Sequence, residues 1–275
     1  MSVYNEDWKN QIVHRLSILL LILTVITSLL DLFYPPIFHK ETLSSQAQVM
    51  GQDLVNLFLG VPALALSLIY SKKGSIKARI ILVGVLAYLA YTFLSYGVLF
   101  KLNPGFLVYT ADFAVSLYAT LLAIAGLEID KLKIKTTEKT RRNAQYSMIL
   151  VILIIIFLWS PDLAAYYLQV ETPTVITQDG FHTLIIPFQD LSIILPLTLL
   201  TIWLLRREKA WGYILTPIIL VKVFSIAVAV LGMIAVMYYY GTPLSIPQIV
   251  VFLFGGLVIA CYIRSYMKNI QIQPS

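Results

Sequence analysis

Residues 211–237 read WGYILTPIILVKVFSIAVAVLGMIAVM, an apolar run interrupted by a single charge, Lys222. It exceeds the roughly twenty residues that a helix needs to cross about 30 Å of hydrocarbon. It is also too continuous, and too rich in leucine and isoleucine, for the alternating strand of a membrane barrel. Further runs of that kind lie near 13–33, 50–70, 78–99, 106–127, 147–168, 184–205 and 247–266. Hydrophobic residues fill 59% of the 275 positions and the mean hydropathy is +0.83, which no soluble domain of this length sustains. The expected fold class is an all-α integral membrane protein with eight transmembrane helices.

Lysine and arginine test that count, because they collect in cytoplasmic segments. With eight alternating spans, seventeen of the twenty fall on one side: Lys9 and Arg15; Lys72, Lys73, Lys77 and Arg79; the run from Lys131 to Arg142; Arg206, Arg207 and Lys209; Arg264 and Lys268. Both termini are therefore expected in the cytoplasm, in a multi-pass protein of the cell membrane. The net charge of +6 reads as an orientation signal rather than a nucleic-acid footprint, so the partner it implies is the lipid bilayer and not a nucleic acid. The first run is followed by Asp31 and YPP instead of a small-residue cleavage site, so it is expected to be retained as a helix. Tyr34, Tyr70, Trp159, Trp211 and the tyrosines at 238–240 sit near span boundaries and read as interfacial belts. The outer segment 160–182 has no basic residue and reads as either a lid or a loose connection.

Two spans share a motif. The second begins GQDLVNLFLGVPALAL at residue 51 and the sixth carries FQDLSIILPLTLL from residue 188; each ends in a basic turn, SKKGS or RREKAWG. The next spans continue ILVGV at 81–85 and ILVKV at 219–223, and the two offsets, 137 and 138 residues, agree within one insertion. This spacing predicts two four-helix repeats, residues 1–129 and 147–275, joined by a basic linker at 130–146. Because four is even, the repeats have parallel orientation. The QDL helix, the KKGS turn, GVLAYLAYTFLSYG, NPGFLVYTADFAVSLY and AWGYILTPIILVK together resemble a functionally uncharacterised family of prokaryotic eight-helix multi-pass membrane proteins, over roughly residues 50–230. The resemblance implies a shared eight-helix body and a recurring lysine at position 222. It implies no catalytic residue.

Polar residues spaced three and four apart mark the face of a span that meets other helices. On that criterion Asp53 and Asn56, Tyr88 and Tyr91, Asp112 and Ser116, and Lys222 and Ser225 point inward, and with Asp190 they are the candidate ligand- or ion-binding residues. A charge at the bilayer centre costs on the order of 3 kcal/mol by insertion scales, so Lys222 needs a partner. Asp112 and Asp190 stand at similar depth, all three roughly 20–24 Å from the basic edge at 1.5 Å per residue. Asp53, roughly 28 Å up, is expected near the hydrated outer interface. Gly84, the repeat equivalent of Lys222, is expected to leave room for the lysine side chain or a ligand. The cluster is either a buried ion pair that orients the halves or part of a solvated cavity open to the outside.

Much chemistry lacks residues to carry it. His14 falls on the cytoplasmic side and His39 and His182 in outer loops, so paired haem ligands are not expected; no metal or cofactor is. GxxxxGK[ST], HExxH and GxSxG motifs do not occur, and Cys261, the only cysteine, allows no intrachain disulfide. The expected function is a permease-like or ligand-binding membrane protein handling a small solute, ion or proton at the interface of its halves. An intramembrane enzyme acting on a lipophilic substrate and a non-catalytic sensor or assembly protein are the alternatives.

Overall fold

The computed structural model describes residues 8–274. Among them are eight helices long and apolar enough to cross a membrane: α1 (Trp8–Phe33), α2 (Leu43–Lys72), α3 (Ile76–Leu99), α4 (Phe106–Lys131), α5 (Glu138–Tyr167), α6 (Ile185–Arg206), α7 (Ala210–Tyr239) and α8 (Ile246–Asn269). The architecture is that of a multi-pass membrane protein. α2 and α5 start well before their apolar runs because a threonine caps each: Thr42 and Thr137 accept from the backbone N–H of Ser45 and Thr140. Ser75 and Ser245 cap α3 and α8 in the same way. Gly74, at φ +84°, provides the left-handed residue that turns the chain from α2 into α3.

Two helices carry an internal irregularity of the same kind. α2 widens into a π-turn at Asn56–Gly60 and α6 into one at Asp190–Ile194. Pro62 and Pro196 follow directly. A proline lacks the N–H for the helical ladder and its ring crowds the carbonyl four residues back, here Phe58 and Ser192; the widened turn relieves that crowding.

α3 is the most enclosed span and α8 the least. α3 packs on α2, α4 and α7; α1 lies against α4, and α5 against α6 and α8. α7 packs on α2, α3, α6 and α8. The largest apolar core joins residues of α1–α4 to Ile214, Ile218, Val221 and Ala229 of α7, while a second core joins α5–α8 to Tyr91 of α3. The first four helices and the last four thus interlock through α3 and α7. Where these two cross, Gly84 lets the backbones approach: a Cβ there would stand 2.7 Å from Val221 Cβ and 3.1 Å from the Ile218 carbonyl oxygen. The room expected at Gly84 is therefore filled by α7 itself, not by a lysine side chain or a ligand.

At the end that gathers the basic turns, the segment expected as a plain linker is ordered. Leu132–Lys135 (β1) pairs antiparallel with Gln271–Pro274 (β2), Ile134 opposite Ile272. Both isoleucines pack on a small core of Ala144, Leu205, Tyr213, Tyr266 and Ile270. Lys77 Nζ donates to the Met267 carbonyl at 2.5 Å, and Arg141 pairs with Glu208. The protein is all-helical as expected, with this four-residue strand pair as the one addition among the described residues.

Candidate functional site

A cavity of about 690 Å³ lies between α3, α5, α6, α7 and α8, reached also by the first turns of α2. Val151, Ile155, Leu158, Val223, Ile226 and Phe252 form part of its apolar wall. Its polar floor is built by three helices and the start of the α6 π-turn. Lys222 of α7 is 5% exposed and its Nζ is 3.7 Å from Asp190 Oδ1. The Tyr91 hydroxyl donates to the same oxygen at 2.9 Å, and Trp159 Nε1 donates to Asp190 Oδ2 at 3.0 Å. The ammonium also rests over the Tyr91 ring, 3.6 Å from its centroid, where the ring's negative face attracts it. Asp190 is thus supplied with donors on both oxygens. Lys222, with three N–H groups to place, has the aspartate and the ring on one side and the cavity on the other.

The cavity lining also takes in residues between 175 and 187 and between 243 and 248, in the connections and helix ends opposite the basic turns. The 160–182 segment is neither loose nor wholly a loop. α5 continues to Tyr167, a single helical turn spans Thr174–Thr177, and the rest is pinned to the start of α2. Ser44 Oγ donates to Asp179 Oδ1 at 2.6 Å, Thr42 Oγ1 donates to the Asp179 carbonyl at 2.9 Å, and Phe181 is buried. Burial raises the Asp179 carboxyl above its ordinary range, with Ser44 and Gln48 opposing the rise.

The structure brings together only part of the expected constellation. Asp190, Lys222 and Tyr91 meet at the cavity floor. Asp112 does not line the cavity; it faces α1, where Thr27 Oγ1 donates to its Oδ2 at 2.5 Å. Equal depth says nothing about which way round the bundle a side chain points. Asp53, expected near hydrated interface, is fully buried and accepts from Ser28 Oγ at 2.9 Å and Asn56 Nδ2 at 3.3 Å. Tyr88 donates to Asn56 Oδ1 and accepts from Gln52 Nε2. Ser116 and Ser225 bond back to the carbonyls of their own helices, at Asp112 and Val221.

Several contributors were not singled out from sequence. Trp159 is 9% exposed and bonds Asp190, so it is a cavity residue and not part of an interfacial belt. Gln52 and Gln189, both beside the aspartate of a QDL motif, are buried; Ser95 donates to Gln189 Oε1 at 3.1 Å. Tyr109 donates to Asp31 at 2.7 Å; its spacing of three from Asp112 was the available signal, since it puts both on one face. Comparison of the chain with protein-family models, with curated proteins and with solved structures finds no match. Of the resemblance to an eight-helix prokaryotic family, the structure carries the eight membrane-length helices.

Proposed function

We propose that this chain is a permease-like, ligand-binding protein of the cell membrane, with the basic turns and both termini on the cytoplasmic side and the cavity mouth on the outside. The observation that carries this reading is the Lys222–Asp190–Tyr91–Trp159 cluster at the floor of a cavity of about 690 Å³. That volume falls within the range of small-molecule sites, which are apolar with a few placed polar groups. The ligand class that fits is a largely apolar small molecule with a hydrogen-bond acceptor head, a carbonyl, carboxylate or phosphate, placed to take an N–H of Lys222. The two QDL motifs and the two π-turn–proline pairs support a parallel repeat, with the ligand held where the second half meets α2 and α3 of the first.

Thermal unfolding of the full-length protein in mild detergent tests this, using apolar molecules of matched size with carboxylate, phosphate, uncharged carbonyl or ammonium heads. At least one acceptor-headed class is expected to raise the Tm of wild type and to leave that of Lys222→Met unchanged. No stabilisation of wild type by any class, or equal stabilisation of Lys222→Met, would remove the cavity as a binding site.

A further inference from the structure

The first four helices enclose a second polar site, apart from Lys222. Asp31 of α1, Asp53 of α2 and Asp112 of α4 are 4%, 0% and 0% exposed. The ion pairs among the described residues join Lys131 to Glu128, Arg141 to Glu208 and Lys222 to Asp190, and none reaches these three carboxyls. Each uses one oxygen to accept from neutral donors: Asp31 from Tyr109, Asp53 from Ser28 and Asn56, Asp112 from Thr27. The remaining oxygens, Asp31 Oδ2, Asp53 Oδ2 and Asp112 Oδ1, are buried without a hydrogen-bond partner. Asp31 also lies within electrostatic range of Asp53 and Asp112, so each further negative charge in the group costs more than the last.

An independent group points into the same place. Tyr96 of α3 is 5% exposed, its hydroxyl has no hydrogen-bond partner, and it lies within electrostatic range of Asp53 and Asp31. The other groups facing the site are neutral: Thr27 and Ser28 from α1, Gln52 and Asn56 from α2, Tyr88 from α3, Tyr109 from α4. α7, packed on α2 at Gly51, presents Gly232 and Met233 there. Three anions buried without a counter-ion are prohibitive, so positive charge must come from outside the protein's own side chains.

We propose that Asp31, Asp53 and Asp112, with Tyr96 and Tyr109, form an internal site for a monovalent cation, a proton or sodium, held principally between Asp31 and Asp53. Among the described residues no group of three or more His, Cys, Asp or Glu is arranged to hold a metal ion, so the three carboxyls do not act as one cage, and sodium, if it is the occupant, is held by Asp31 and Asp53 with neutral oxygens. A hydrogen-bonded chain connects the site to the cavity wall. Gln52 and Tyr96 line the cavity wall, Gln52 Nε2 donates to Asn56 Oδ1 at 3.1 Å, and Asn56 donates to Asp53. Cation occupancy does not depend on what the cavity binds.

The test is thermal unfolding of the full-length protein across neutral and alkaline pH, in sodium chloride or N-methylglucamine chloride at equal ionic strength, for wild type and Asp53→Asn. A Tm raised by sodium at alkaline pH identifies sodium as the occupant. A Tm that falls as pH rises, alike in both salts, identifies the proton. Either dependence is expected to shrink or vanish in Asp53→Asn. A wild-type Tm that is flat in both variables, or a dependence undiminished in Asp53→Asn, overturns the proposal. Should Asp53→Asn fail to fold, infrared spectra of wild type decide. A carboxylic-acid stretch present at neutral pH without sodium, and lost on adding sodium or raising pH, supports the site; its absence under those starting conditions overturns it.

Discussion

At the scale of the residue, the Lys222–Asp190 pair is the feature with the largest consequence. Removing one partner leaves the other charge buried, which typically costs about 3–5 kcal/mol, whereas replacing both with neutral groups of similar volume costs far less. Asp190→Asn is therefore expected to lower stability by roughly that amount. Asp190→Asn combined with Lys222→Met should recover most of it. A double-mutant cycle of thermal or denaturant unfolding checks this; additive costs would show that the 3.7 Å contact does not couple the two residues. The pair was legible in the sequence because depth along a helix follows from counting residues, and Lys222 and Asp190 come out level. Asp112 also came out level and yet sits across the bundle, bonded to Thr27. Counting fixes height but not azimuth, so no argument from one helix at a time could separate the two aspartates. Trp159 was misjudged for a related reason: position near a span end suggested an interface, while its N–H is taken by Asp190 inside.

At the scale of the element, glycine marks where helices touch. A Cβ on Gly51 would stand 2.4 Å from Met233 Cα and 2.5 Å from the Gly232 carbonyl oxygen, both backbone atoms that cannot swing away. Gly51→Ala is thus expected to destabilise by about 1–3 kcal/mol through overpacking. Gly97, inside α3, has nothing within 4 Å of an added Cβ. Gly97→Ala should be neutral or stabilise by up to about 1 kcal/mol, since alanine restricts the unfolded chain. Unfolding of the two variants beside wild type gives the contrast; a Gly51→Ala as stable as Gly97→Ala would mean that α2 and α7 do not approach this closely. The helices themselves were readable from apolar run length, and their polar extensions were missed because a cap, not hydropathy, sets those starts. β1 was hidden although its signal was present. Leu132 and Ile134 alternate with Lys133 and Lys135, a period of two, but four residues in a basic segment look like a tether until the partner strand is known.

At the scale of the whole molecule, the two QDL motifs occupy contrasting settings. Asp53 lies in a closed nest of hydroxyls and amides with two other carboxyls nearby, and Asp190 lies at the floor of an open cavity beside a lysine. The two settings are joined by the hydrogen-bonded chain from Gln52, which lines the cavity, through Asn56 to Asp53. The eight spans were plain in the sequence, whereas the cavity entered only as one of two readings of the charged cluster, because its walls come from several helices whose mutual packing no single run of residues specifies. The central claim is that this cavity opens away from the basic turns and ends at Lys222. Its most direct test is modification of Val230→Cys, a cavity position on α7, by a membrane-impermeant maleimide in intact cells, on a Cys261→Ser background. Leu199→Cys, exposed on α6 but outside the cavity lining, is the control. The account predicts that reagent added outside modifies Val230→Cys and spares Leu199→Cys. No modification of Val230→Cys, or modification only when the cytoplasmic side is exposed, would contradict it.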